Sequence, residues 1–153
     1  MQFRQRGFTL IELITSITIL AILASVTLPR LTSARPYQER GYADGIAASL
    51  RQSRAVALAS GCDVLFTLDA AGYRAFQRGA GANNHCAAAG AWSTPVRRGN
   101  GQSLLELQPA GATPGANRQF VFAPDGTVAA GPLTINIGPQ LITVQPSGLV
   151  QGP

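Results

Sequence analysis

Residues 8–28 form a predominantly apolar run that carries a single charged side chain, Glu12. A helix of 21 residues, rising ~1.5 Å per residue, is about 31 Å long, the thickness of one hydrocarbon core. A charged side chain at the bilayer centre costs roughly 2.5–3.5 kcal/mol even on the lenient insertion scale. Glu12 therefore needs a partner. The chain must combine an apolar N-terminal element with a head folded from the remaining residues.

Three readings of the run compete. A secretory signal peptide has a basic start and an apolar middle, here preceded by Arg4 and Arg6, and Thr32-Ser33-Ala34 offers a small-residue cleavage site. The run is longer than a usual signal core and holds a carboxylate, which speaks against this. A plain single-span anchor leaves Glu12 unexplained. A span built to assemble gives Glu12 a positive charge from a neighbouring copy.

The head is constrained by composition. Charged residues make up only 12% of the 153-residue chain, and 17 Gly with 10 Pro supply turns, which predicts a compact β-rich head with long loops. All 12 basic residues are Arg, and the net charge is +5. From Pro29 onward ten Arg face six acids, a mild basic excess that is weak evidence for a nucleic-acid partner.

In chain order, 29–36 is a breaker-rich joint. Residues 37–60 predict a second helix with an apolar face at Ile46, Leu50 and Ala57, with Val56 one step off it and Tyr42 and Ala43 above. Gly41 and Gly45 weaken that helix and mark a possible bend, and Gly61 is its C-cap. Strands are expected at 63–68 and 73–77, joined by Asp69-Ala70-Ala71-Gly72. Further strands are expected at 92–96, 104–107, 119–122, 133–137 and 141–144, with Thr127-Val128 starting a return after the turn Ala123-Pro124-Asp125-Gly126. Loops occupy 79–90 and 109–117, and 149–153 is a tail. Trp92, Phe120 and Phe122 are expected in the core.

Arg6-Gly7-Phe8-Thr9-Leu10-Ile11-Glu12 resembles the type III signal of type IV prepilins and pseudopilins. It has a short basic leader, Gly before the cut, Phe after it and an acid at the fifth mature position. The resemblance implies cleavage between Gly7 and Phe8 by a prepilin peptidase, methylation of the Phe8 amine, and use of Glu12 in assembly. An amine freed at Phe8 lies one helical turn from Glu12. Its pairing with the carboxylate of an adjacent subunit compensates both buried charges and fixes axial register. The order of one long helix followed by antiparallel strands is similar to the GspH/FimT group of minor pseudopilins and pilins. The similarity also covers Arg51-Gln52-Ser53-Arg54-Ala55, Phe120-Val121-Phe122-Ala123-Pro124-Asp125-Gly126 and Ile142-Thr143-Val144 before Ser147-Gly148. Ser60-Gly61-Cys62 with a later cysteine also resembles the MshC minor pilins of mannose-sensitive haemagglutinin pili.

The resemblance implies an α+β, pilin-like fold, with a long N-terminal helix, transmembrane in its first half, packed on an antiparallel β-sheet head. Residues 1–7 would be a cleaved leader, 8–28 the transmembrane and assembly helix, and 29–153 a periplasmic head. It implies a structural subunit of a type II secretion pseudopilus or a type IV pilus. Its partners would be other pilin subunits, the prepilin peptidase and the inner-membrane assembly platform. Charges alone do not orient the span, because Arg30 and Arg35 nearly balance Arg4 and Arg6. The periplasmic placement of the head rests on the resemblance and the cysteine pair.

Cys62 and Cys86 form neither a CxxC pair nor a four-ligand zinc set. With the head outside the cytoplasm they are expected to form a disulfide closing a loop of about 25 residues, worth on the order of 3 kcal/mol. Two buried free thiols is the alternative. No enzyme, cofactor or metal is expected: His85 is the single histidine and adjoins Cys86, no phosphate loop exists, and the carboxylates are scattered.

DNA binding is the rival function. Some FimT relatives act in DNA uptake and carry a basic motif after the last strand Gly, where this chain has Gly148-Leu149-Val150-Gln151 with no Arg. Arg97, Arg98 and Arg118, with Arg74 and Arg78, are the candidate phosphate patch.

Overall fold

The computed structural model describes residues 9–31, 35–82 and 85–153, with side chains of 26–31 not included. The predicted cleavage site at Gly7 and Phe8, and Thr32-Ser33-Ala34, lie outside the described residues. The chain divides into two units, Met1–Ala34 and Arg35–Pro153.

In the first unit, α1 spans Leu10–Leu31. Thr9 caps it: the Glu12 amide donates to Thr9 Oγ1 at 3.3 Å, and the Leu13 amide donates to the Thr9 carbonyl at 3.1 Å. Thr9-Leu10-Ile11-Glu12 has the Thr-x-x-Glu spacing of a capping box. The helical backbone continues through Pro29, past the expected end at Leu28. Proline's fixed φ is itself helical, but it cannot make the intrahelical amide bond of that position, and the helix ends two residues later at Leu31.

The second unit opens with α2, Arg35–Ser60. It starts two residues before the expected position because Pro36 falls in the first turn, where an amide is unpaired anyway. The helix runs unbroken through Gly41 and Gly45. The reason for Gly45 is close approach: a Cβ there would sit 3.0 Å from Tyr73 Oη. The buried face is wider than the apolar stripe, since Ser49 and Ser53 join Tyr42, Ala43, Ile46, Ala47, Leu50 and Ala57. Ser53 satisfies its hydroxyl by donating to the Ser49 carbonyl at 2.8 Å, which makes it acceptable in the core.

The strands are β1 Val64–Asp69, β2 Gly72–Arg78, β3 Trp92–Pro95, β4 Leu105–Leu107, β5 Arg118–Phe122, β6 Leu133–Ile137, β7 Gln140–Val144 and β8 Val150–Gln151. They form two antiparallel sheets. The first has the order β3-β2-β1-β5, with β4 also paired to β2; the second is β6-β7-β8. The expected return at Thr127-Val128 is only a bridge from Phe122 to Val128. There Asp125 folds back on Thr127, whose amide and hydroxyl donate to Asp125 Oδ1 at 3.0 and 2.7 Å. This Asx turn separates the sheets. The expected tail instead supplies β8, which pairs with β7 and buries Val150.

Helix α2 packs across both sheets. Alternation along β1 turns Val64, Phe66 and Leu68 into the core, and β5 contributes Phe120 and Phe122. From the second sheet come Ile135, Ile137, Ile142 and Val144. An aromatic chain crosses this core: Tyr42 to Tyr73, Tyr73 to Phe66, Phe66 to Phe120 and Phe120 to Phe122, with ring centroids 5.5–6.1 Å apart. Trp92 departs from expectation. It lies outside the core, partly exposed, with the Arg78 guanidinium carbon 4.1 Å from its ring centroid. A Trp at a short edge strand keeps its ring partly wet, and the cation covers one face.

Candidate functional site

The described side chains of α1 form an apolar rod. Leu10, Ile11, Ile17 and Leu20 are each more than half exposed. The polar side chains along it turn back on the helix: Thr15 and Ser16 donate to the Glu12 carbonyl at 3.0 and 2.7 Å, Thr18 to the Ile14 and Thr15 carbonyls, and Ser25 to the Ile22 carbonyl at 2.7 Å. Hydroxyls satisfied in this way can face an apolar surround without leaving orphan donors. Glu12 is different. Its carboxylate is exposed, and among the described residues no cation lies within ion-pair distance. Glu12 is thus the one charge on the described part of the rod.

Among the described residues, no helix is long and apolar enough to cross a membrane. The run expected to span, 8–28, extends beyond the residues whose side chains are described, 9–25. Those 17 alone cover about 26 Å, short of a ~30 Å core.

In the head, Cys62 and Cys86 are joined in a disulfide, with Cα atoms 5.9 Å apart. It ties the C-terminal end of α2 to the 79–90 loop. His85 turns toward the bridge: its Nδ1 lies 3.3 Å from Cys86 Sγ and 3.9 Å from Cys62 Sγ. A cavity of about 360 Å³ opens beside them, lined also by Ser60, Gln77, Arg78 and Thr94.

Of the arginines proposed as a phosphate patch, Arg74 and Arg118 line one cavity of about 550 Å³, whereas Arg97 and Arg118 are not brought together. Arg97 follows β3 and Arg118 begins β5, so they lie at opposite edges of the first sheet. Each is engaged locally, Arg97 on the Gly101 carbonyl at 2.7 Å and Arg118 on the Thr134 carbonyl at 3.1 Å. Arg98 donates to Glu106 Oε2 at 3.1 Å and to Tyr73 Oη at 3.3 Å. Arg74 pairs with Asp69, and Arg78 stacks on Trp92.

Sequence reasoning missed the cluster around Glu106. Strand β4 is inverted: Leu105 and Leu107 are exposed, while Glu106 points under α2. There Tyr73 Oη donates to Glu106 Oε2 at 2.5 Å. Burial, then the bond to Glu106, pushes the Tyr73 hydroxyl up to about 12. Burial likewise pushes Tyr42 up to about 12. Glu106 holds the Arg98 guanidinium above its ordinary value. Tyr73, Arg98 and Glu106 line a cavity of about 200 Å³ together with Gly45, Ser49 and Gln52, and the hydrogen bonds tie β2 and β4 to the segment after β3.

Two family models match the chain. The prokaryotic N-terminal methylation motif covers residues 2–28, and the type II transport protein GspH covers residues 42–148. No curated protein and no solved structure matches at a significant level.

Proposed function

The chain belongs to the GspH/FimT group of type IV pilins and pseudopilins, and from that premise we propose that it is a minor subunit, cut between Gly7 and Phe8, methylated at Phe8, and assembled through α1. In this reading residues 8–28 cross the inner membrane once, with the head in the periplasm, until the subunit joins a type II secretion pseudopilus or a type IV pilus. The role is structural, not enzymatic. The prepilin peptidase, other pilin subunits and the inner-membrane assembly platform are its partners.

The observation that carries the reading is the apolar rod of α1 bearing one unpaired acid. A helix apolar on all sides requires burial against lipid or other helices. In such a surround Glu12 requires a cation, and the amine freed at Phe8 of a neighbouring copy meets that need. Intact-mass and N-terminal analysis of the protein recovered from membranes tests it. The expected product begins with methylated Phe8; any other N-terminus overturns the processing step. Glu12→Val is expected to leave cleavage intact and to reduce incorporation into filaments.

For the DNA-binding alternative, Arg74 and Arg118 share a cavity, but Arg74 is paired with Asp69 and Arg97 lies at the opposite edge of the sheet from Arg118. A gel-shift with full-length protein in detergent separates the two. Tight, salt-sensitive binding lost in Arg97→Ala/Arg98→Ala would favour DNA capture.

A further inference from the structure

We propose that the Cys62–Cys86 bridge is the oxidised form of a zinc site whose third ligand is His85. Three ligand atoms, Cys62 Sγ, Cys86 Sγ and a His85 ring nitrogen, lie within 4.8 Å of one another. In a tetrahedral site with Zn–S about 2.3 Å and Zn–N about 2.0–2.1 Å, sulfur and nitrogen ligands stand about 3.5 Å apart and two sulfurs about 3.8 Å apart. The His85 Nδ1 distances of 3.3 and 3.9 Å to the two sulfurs already bracket the first value. Only the sulfur pair must separate, by rotation of two side chains whose Cα atoms are 5.9 Å apart.

Backbone hydrogen bonds tie down both cysteine segments in addition to the disulfide. Cys62 follows the α2 cap at Gly61, whose amide donates to the Ala57 carbonyl at 2.9 Å. On the other side Cys86 is bridged to Ala80, and the Ala87 amide donates to the Gly79 carbonyl at 2.9 Å. The adjoining cavity of about 360 Å³ leaves room for a fourth ligand such as water.

The site is gated by oxidation state. A dithiol reductant converts the disulfide to two thiols and becomes a disulfide itself, two electrons and two protons passing to the cysteines. Zinc then displaces both thiol protons and binds two thiolates and neutral imidazole, giving a local charge of zero. The gating follows from the ligands: the sulfurs of the bridge carry no thiolate charge, whereas the two thiolates of the reduced form neutralise the dication in a cavity that Arg78 also lines.

The test uses the full chain in detergent, reduced and freed of reductant under anaerobic conditions, with cobalt(II) and then zinc(II). The expected result is a 1:1 cobalt complex with thiolate charge-transfer bands and tetrahedral d–d bands, displaced by one equivalent of zinc. The oxidised chain shows neither band. His85→Ala weakens binding by more than the roughly 10–100-fold typical of losing an outer-shell partner. Thermal melting followed by circular dichroism guards against a folding artefact: zinc is expected to raise the melting temperature of the reduced chain and not of the oxidised one. Absence of the charge-transfer band, an unchanged affinity in His85→Ala, or a reduced chain whose melting zinc does not alter overturns the site.

Discussion

Tyr73 and Glu106, 33 residues apart, meet beneath Gly45 of α2 through a 2.5 Å hydrogen bond from the phenol to the carboxylate. The contact explains why β4 turns an acid inward and two leucines outward. Glu106→Ala leaves the fully buried Tyr73 hydroxyl without its acceptor and frees Arg98. The expected loss is about 1–3 kcal/mol, the cost of an orphaned buried donor. Glu106→Gln keeps an acceptor and is expected to lose less. Denaturant unfolding of the three proteins, compared at constant m-value, checks the order.

Alkaline pH acts on the same cluster. Tyr42 and Tyr73 are both raised from 10.0 to about 12 in the folded protein, first by burial. Above pH 10 the unfolded chain gives up these protons while the folded chain keeps them, so the unfolded state binds fewer protons and stability falls with rising pH. The contribution is complete below pH 10 and is lost as pH rises through about 12. Melting temperature is expected to drop across this window in the native sequence and less steeply in Tyr73→Phe. A Tyr73→Phe curve parallel to the native one would contradict this.

A second junction joins α2 to the turns at the far end of the sheets. Arg54 Nε donates to the Gly126 carbonyl at 3.2 Å, and the Val128 amide donates to the Pro146 carbonyl at 2.8 Å. Gly148 sits in this knot with φ +73°, and a Cβ there would run into the Gly126 carbonyl oxygen and Arg54. Gly148→Ala therefore combines left-handed backbone with a backbone clash. It is expected to cost more than the ~1–2 kcal/mol of the conformation alone. Arg54→Ala, which removes one hydrogen bond at a partly buried site, is expected to cost about 1 kcal/mol. Calorimetric melting of both variants tests the ranking.

The disulfide links positions 24 apart in sequence. In the chain-entropy model a loop of that size is worth on the order of 3 kcal/mol. Cys62→Ser/Cys86→Ser is expected to melt about 10–20 °C below the native protein. The single variants should match the double one, since either substitution opens the same loop.

Much of this was legible in the sequence because it depends on local pattern. Periodicity gave α2 and most strands to within about two residues. The turns at Asp69-Ala70-Ala71-Gly72 and Ala123-Pro124-Asp125-Gly126 carry their own chemistry, and the apolar run at 8–28 needs no tertiary contact to be seen. The cysteine pairing also followed from count and context.

Other features exist only in three dimensions. Glu106 shares the inward side of its strand with the buried Leu104, and the phenol of Tyr73 together with the guanidinium of Arg98 makes that orientation favourable. Trp92 looked like core and is an edge residue capped by Arg78, because burial depends on which strands end a sheet. Val150-Gln151 became a strand because β7 offered an unpaired edge. His85 gained its position beside the two sulfurs from the folding of the 79–90 loop onto the end of α2. The sequence by itself determined an apolar N-terminal helix and an α+β head, since both follow from residue type and spacing. The tertiary structure decided which polar groups meet, because those encounters join residues tens of positions apart that carry no local signal.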